Sequence, residues 1–235
     1  MKIAAMADVH CRLDGRDEVR RLLDGVAEEA SAVVLAGDLT DTGRPAEMEI
    51  LLSVVAEVPL PFVAVLGNHD HETDHHERLM EMMEDAGVTV LDASVHEIED
   101  VGFVGTKGFC GGFEERIVQP FGEDALKQFI QTGIDEAIRL ESAAAKLDEC
   151  RAIVGVLHYA PVRDTLEGEP PELYPLLGTS RLASALDRRG VKVIVHGHAH
   201  HGAMVGRTAR GTPVHNVSRF VRERAGESPY LVLEV

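Results

Sequence analysis

Residues 32–41 read AVVLAGDLTD, five small or branched apolar residues followed by Gly37 and Asp38. A short unbroken apolar run ending at a glycine is the pattern of a fully buried strand, and it puts the acid at that strand's carboxyl end. The pattern recurs on either side. Ile3 to Ala7 leads into Asp8-Val9-His10, and Phe62 to Leu66 leads into Gly67-Asn68-His69-Asp70. Helix-like stretches separate these runs. Val19, Leu22, Leu23, Val26, Ala27 and Ala30 fill the first, and Met48, Leu51, Leu52 and Val55 follow Pro45 in the second. Asp8, Asp38 and Asn68 are thirty residues apart at each step, about the length of a βαβ unit. Right-handed crossovers would set three parallel strands side by side with these side chains at one edge. In open α/β sheets, active sites lie at that edge.

The pattern loosens downstream. Leu79, Met82, Met83 and Ala86 predict a helix ended by Gly87; Val88–Leu91 and Val101–Gly105 read as strands, and residues 107–122 as a loop. A long helix is expected over 124–147, with Leu126, Phe129, Ile130, Ile134, Ala137, Ile138 and Ala145 as its apolar stripe and Gly133 as a weak point. Ala152–Leu157 reads as a buried strand entering His158, residues 160–180 as a Pro- and Gly-rich loop, and Val191–Val195 as a strand entering Gly197-His198-Ala199-His200. Three short strands, at 203–205, 212–216 and 230–235, close the chain. Nothing resembles a linker, so one domain over 1–235 is expected.

The residues past these strands are carboxylates, an amide and imidazoles. Alone, Asp8 could be a helix cap, Gly37-Asp38 an ordinary turn, and His158 a hydrogen-bonded core histidine. Together and in this order they point to two metal ions. If residues 8–10 are extended, Asp8 and His10 share a side and can join His198 and His200 around one ion. Asp38 can bridge two cations through its two oxygens, and Asn68 adds a neutral oxygen. Mixed oxygen and imidazole donors suit Mn, Fe, Zn, Co or Ni better than Ca. Two such ions about 3.5–4 Å apart clamp a phosphorus centre and generate a hydroxide nucleophile near neutral pH.

Composition narrows the options. Forty acidic against twenty-three basic residues give a formal charge of -17 over 235 residues, which disfavours an extended nucleic-acid surface and hence a nuclease. A small phosphate ester remains compatible, because bound cations reverse the local field. Three scattered cysteines, Cys11, Cys110 and Cys150, suggest reduced thiols. The first apolar run is too short for a signal peptide or membrane span, so a cytoplasmic protein is expected. Oligomeric state is not readable.

The set Asp-x-His, Gly-Asp, Gly-Asn-His-Asp, lone His and Gly-His-x-His, spanning residues 8–200, resembles the calcineurin-like metallophosphoesterase superfamily. That resemblance implies an α/β fold, a four-layer sandwich of two mixed β-sheets flanked by helices. It implies one metal on Asp8, His10, Asp38 and His200 and a second on Asp38, Asn68, His158 and His198. It further implies that His69 assists catalysis and that Asp70 holds the His69 ring through its other nitrogen. Protein phosphatases of the superfamily carry an Arg where this chain has Thr42, and the Asp38-Leu39-Thr40-Asp41 wording resembles the small-phosphodiesterase branch. A phosphodiester is therefore the expected substrate. A phosphomonoester or nucleotide phosphatase is the first alternative and a non-catalytic interaction scaffold the second.

Two loops are expected to shape the pocket. One carries Lys107, Phe109, Phe113 and Arg116; the other carries Tyr159, Arg163, Tyr174 and Arg181. Aromatics there could stack on a base and cations could pair with phosphate, or the same residues could simply pack and pair at the surface. His71, His75 and His76 read as a solvated helix entry, with His71 close in sequence to the site, and His196, His201 and His215 either as supports behind the metal ligands or as polar loop residues.

Overall fold

The computed structural model describes residues 1–147 and 149–235. In chain order the elements are β1 (Lys2–Met6), α1 (Arg16–Leu22), α2 (Val26–Glu29), β2 (Ala32–Ala36), α3 (Pro45–Val55), β3 (Phe62–Val65), α4 (His76–Asp85), β4 (Val88–Val90), β5 (Ser94–Ile98), β6 (Val101–Thr106), α5 (Asp124–Ala144), β7 (Ala152–Leu157), α6 (Tyr174–Leu177), α7 (Ser180–Asp187), β8 (Val193–His196), β9 (Val205–Arg207), β10 (Pro213–Asn216), α8 (Arg219–Arg224) and β11 (Leu231–Glu234).

They form two mixed sheets, ordered β11-β1-β2-β3-β4 and β5-β6-β7-β8-β10-β9. β1 to β4 run parallel, with Ala5 opposite Val34 and Leu35 opposite Ala64; β11 is antiparallel at the edge. In the second sheet β6, β7, β8 and β10 are parallel, and β5 and β9 are antiparallel edges. The strand side-chain period of two divides each strand between two layers. Ile3, Ala5, Val34, Val63 and Val65 meet Phe103, Val154, Val156 and Val195 between the sheets. The alternate residues Ala4, Met6, Val33, Leu35 and Ala64 pack under Val19, Leu22, Met48, Leu51, Leu79 and Met83. On the far side, Val104, Ile153, Leu157 and Ile194 pack under Leu140, Ala144, Leu182 and Leu186. This is the four-layer α/β/β/α sandwich expected, with β1, β2 and β3 adjacent and parallel.

Several local expectations need correction. The first helical run is broken at Leu23–Gly25 into α1 and α2. Helix α5 is continuous through Gly133, where a Cβ would stand 2.6 Å from the Cys110 carbonyl oxygen, so the glycine serves close packing. Its buried stripe is Ile130, Gly133, Ala137, Leu140 and Ala144, whereas Leu126, Phe129 and Ile138 are exposed. Elements β5, α7 and α8 fall where no element was expected. Strand β5 is a partly exposed edge with a weak apolar pattern, and α7 and α8 are too short to show a full helical period. No helix among the described residues is long and apolar enough to cross a membrane.

Candidate metal centre

The carboxyl ends of five parallel strands, three from one sheet and two from the other, deliver the metal-type residues to one place. Asp8 and His10 follow β1, Asp38 follows β2, Asn68 follows β3, His158 follows β7, and His198 and His200 follow β8. Asp8, His10, Asp38 and His200 each bring one ligand atom to a shared point, and Asp38, His158 and His198 do the same beside it. Asp38 belongs to both groups through different oxygens. Its Oδ2 faces His10 Nε2 at 3.7 Å, and its Oδ1 faces His158 Nε2 at 3.2 Å. His200 Nε2 lies 3.4 Å from Asp8 Oδ1, and Asn68 Oδ1 lies 2.9 Å from His158 Nε2.

The loops reach this point by an unusual backbone. Asp8, His10, Asp38 and His198 all adopt positive φ, at 60°, 47°, 51° and 69°. Residues 8–10 are therefore not extended, and Asp8 and His10 converge through successive left-handed turns instead of strand alternation. Such non-glycine conformations cost about 1–3 kcal/mol each and persist where the surroundings over-determine them. Here the surroundings are cross-loop hydrogen bonds. Asp8 N–H donates to the Gly37 carbonyl at 3.0 Å, His10 N–H to the Asp38 carbonyl at 3.0 Å, and Gly197 N–H to the His158 carbonyl at 3.2 Å. The N–H of His198 points at both Asp8 oxygens, at 3.1 and 3.2 Å, and His69 N–H donates to Asp38 Oδ1 at 2.9 Å. Two glycines make the approach possible. A Cβ at Gly67 would collide with Asp38, and one at Gly37, whose φ is 85°, would collide with the His158 ring.

Electrostatics follow from this crowding. Burial alone would raise the Asp8 pKa, but the neighbouring His200 and His158 imidazoles outweigh it and hold the carboxyl below its ordinary range. Asp38 shows the same balance and is also lowered, chiefly by the charge of His158. Burial opposes an imidazolium at His158, yet Asp38 lifts its pKa to about 9. At His198 burial and the charge of His158 outweigh the two carboxylates and push the pKa down to about 3. The His158 Nδ1–H donates to the Ala36 carbonyl at 3.0 Å, which directs Nε2 between two oxygens, where a cation could replace a proton.

The residues fit a cation pair on one decisive count. Among the described residues, His10 Nε2, Asp38 Oδ2 and His200 Nε2 are buried atoms without a hydrogen-bond partner. Buried polar atoms are nearly always partnered, and three orphans aimed at one point are donors waiting for a positive charge.

Asp70 does not hold the His69 ring. It is fully buried, and its oxygens accept from Leu39 N–H at 3.1 Å, Gly67 N–H at 2.8 Å, Thr40 N–H at 2.9 Å and the Thr40 hydroxyl at 2.6 Å. Its job is to pin the Asp38 loop to the Asn68 loop. The His69 ring instead donates from Nδ1 to the Asp41 carbonyl at 2.7 Å. Thr42 is no substrate group either: its N–H and hydroxyl go to Glu47, at 2.9 and 2.8 Å, at the start of α3.

Other residues around the centre were not foreseen. Asp41 forms a third group with His10 and His69, and its Oδ1 is 3.5 Å from His10 Nδ1. Phe220 packs its ring on His10 and His200, with centroids 5.7 and 4.6 Å away. Arg219 Nε donates to the Asp8 carbonyl at 2.9 Å. Asp41 could have been suspected from its place after Asp38, but Arg219 and Phe220 carry no motif.

Among the loop histidines, His71 and His76 are not a solvated entry. They are half-buried and stacked at 4.2 Å, while His75 is exposed. His196 is buried, with its ring between the Gly197 carbonyl and Thr165 Oγ1, both at 2.8 Å. Phe113 packs with Ala160, Leu166 and Ala199, Phe109 lies 5.0 Å from the Phe129 ring and 6.0 Å from Tyr159, and Arg163 lies over the Tyr174 ring. All three cysteines are unpaired, and burial pushes the Cys11 thiol up to about 12, far from a reactive thiolate.

Comparison with known proteins agrees with the geometry. A Rhodococcus erythropolis protein named "Probable cyclic nucleotide phosphodiesterase" is 26% identical over 219 residues, covering 90% of this chain and 65% of its own. A glycerophosphodiester phosphodiesterase of Enterobacter lignolyticus is 33% identical over 69 residues, 29% of this chain and 24% of its own. The chain thus spans less than two thirds of the length of these relatives. Among solved structures, the phosphopantetheinyl hydrolase of Mycobacterium tuberculosis superposes with a TM-score of 0.70 at 16% identity, over 99% of this chain and 95% of its own. A Thermus thermophilus protein superposes with a TM-score of 0.62 at 14% identity, over 99% of this chain and 98% of its own. Both share the fold. The family model for calcineurin-like phosphoesterases matches residues 1–202, the span that holds every metal-type residue named above, and the chain belongs to that family.

Proposed function

We propose that this protein hydrolyses small phosphate esters, phosphodiesters first among them, with two divalent transition-metal ions as cofactors. Asp8, His10, Asp38 and His200 hold one ion; Asp38, Asn68, His158 and His198 hold the other. The observation that carries the reading is the two-sided Asp38 carboxylate among buried, unpartnered imidazole nitrogens. Bound there, a cation pair neutralises phosphoryl oxygens and lowers the pKa of water enough to supply hydroxide near neutral pH. Imidazole with carboxylate and amide oxygen favours Mn, Fe, Zn, Co or Ni.

The chain's own residues supply the rest. A carbonyl can only accept, so the Asp41 contact keeps a proton on His69 Nδ1 and leaves Nε2 to exchange the second proton. The ring stands edge-on to His10 with centroids 4.4 Å apart, beside the ligand cluster. It can protonate the departing alkoxide, a contribution of about 10²–10⁴-fold. Cross-loop hydrogen bonds hold the carboxylates and imidazoles of the centre in position, which is what an electrostatic site needs. The diester preference rests on Thr42 in place of an arginine and on the two relatives named as phosphodiesterases. The three unpaired cysteines fit a reducing compartment such as a cytoplasm.

The test is metal analysis of purified protein, followed by assays with Mn, Ni, Co and Zn in turn on diesters, monoesters, cyclic nucleotides and nucleotide anhydrides. About two ions per chain and faster turnover of a diester than of its monoester are expected. Full ligand-site occupancy without hydrolysis of any ester would overturn the reading.

A further inference from the structure

A cavity of about 280 Å³ opens at the carboxyl ends of β3 and β6, lined in part by His71, His76, Asp92, Lys107, Glu136 and Arg139. Two of its lining residues, Leu66 and His71, flank the Gly67–Asp70 block of the metal centre. The Lys107 carbonyl accepts the N–H groups of His158 and Tyr159, at 3.1 and 3.0 Å. The Tyr159 ring in turn lies 4.4 Å from that of His198.

Most charges on the cavity wall are paired; among the described residues the exposed Glu77 and the half-buried Lys107 are not. Arg139 binds Asp92 and Glu136, both at 2.8 Å, and Glu136 also takes the Thr106 hydroxyl. Among the described residues Lys107 forms no ion pair. Its ammonium donates to the Gly108 carbonyl at 3.2 Å and lies 5.1 and 5.3 Å from the ring centroids of Phe109 and Tyr159. That arrangement leaves two of its three N–H groups unspent. His76 Nδ1, on the same wall, is buried and unpartnered. A half-buried cation with no carboxylate at ion-pair distance among the described residues is better stabilised by a ligand that brings a negative charge.

We propose that this cavity receives the second arm of the substrate, and that Lys107 binds a carboxylate or phosphate group carried on that arm. The inference rests on the phosphoesterase reading of the adjoining centre. It makes the preferred substrate a phosphodiester with a second anionic group, selected by a lysine held between two aromatic faces.

Three p-nitrophenyl phosphodiesters test it, with ethyl, 2-carboxyethyl or 2-phosphonatoethyl as the other arm, each assayed on the Mn-loaded protein. The matching methylphosphonate monoesters give binding constants by calorimetry without turnover. A charge-assisted hydrogen bond predicts roughly tenfold to a hundredfold tighter binding of an anionic arm than of ethyl. The two anionic arms separate carboxylate from phosphate recognition. Lys107→Met should bring that ratio to near one, and Lys107→Arg should keep most of it. A wild-type ratio near one, or a ratio that survives Lys107→Met, overturns the proposal while leaving the hydrolase reading intact. Arm-selective, Lys107-dependent binding without hydrolysis of any diester or monoester would support the anion site and overturn the hydrolase reading instead.

Discussion

The Asp70 carboxylate holds Thr40 twice, taking its backbone N–H at 2.9 Å and its hydroxyl at 2.6 Å. Thr40 lies two residues past Asp38, and Asp70 two residues past Asn68. One buried carboxylate thereby sets the distance between two loops that each carry a candidate ligand. Burial and the charge of Asp38 push the Asp70 carboxyl up from its ordinary value, and the Thr40 and Gly67 hydrogen bonds oppose that.

Asp70→Asn should accordingly be a stability variant before it is a kinetic one. An amide offers one acceptor oxygen for four donors, and stranding a buried donor costs about 1–3 kcal/mol. Urea unfolding should show a loss of at least that size, with reduced metal content. A variant of wild-type stability and metal content would contradict the pinning role.

Gly67→Ala should disable the centre without touching any donor. The added methyl would meet Asp38 Oδ1 and the Asp38 backbone N–H, and forcing atoms into a packed site typically costs about 1–3 kcal/mol. Metal content per chain should fall from two toward one or none, read by elemental analysis of the folded protein. Two tightly bound ions in this variant would show that Asp38 has room to move.

His69→Ala should separate chemistry from metal binding. The ring is bonded to the Asp41 carbonyl and lies outside both four-residue ligand sets. Both ions should stay, and turnover of an alkyl diester should fall by about 10²–10⁴-fold. An ester whose leaving group is p-nitrophenolate should lose far less, because a stable anion needs little protonation. Equal losses on the two substrates would remove the acid role.

Adding Mn should raise the melting temperature of protein stripped with a chelator, because the ion binds the folded loops and not the unfolded chain. At a free concentration a hundred times Kd, each site adds about 2.7 kcal/mol. The stripped protein should nonetheless keep its secondary structure, since the three large apolar cores contain none of the candidate ligands. Loss of the far-ultraviolet circular dichroism on chelation would refute that independence.

Much of the centre was legible because each candidate ligand sits in a short block just past an apolar run. Strand burial and βαβ spacing are local signals, and they placed Asp8, Asp38 and Asn68 before any fold was known. The role expected of Asp70 was not legible. Which donors a buried carboxylate meets depends on two loops thirty residues apart, and all four of its donors are backbone groups or a threonine hydroxyl with no sequence signature. The left-handed turns at Asp8, His10, Asp38 and His198 were equally invisible, because none of these residues demands positive φ. The stripe of α5 was misjudged because its buried face is lined mainly by alanine and glycine, fitted closely to β5 and β6, while larger apolar groups face outward.

The sequence by itself determined the leading strand–helix alternation, the parallel run of β1 to β3 and the donor types at their ends, because periodicity and residue chemistry act over a few neighbours. Tertiary structure alone decided which partner each Asp38 oxygen faces, that Asp41 and not Asp70 orients His69, and that Lys107 forms no ion pair among the described residues. Those are properties of distances across the sandwich, set by how two sheets and their loops pack, and no local pattern encodes them.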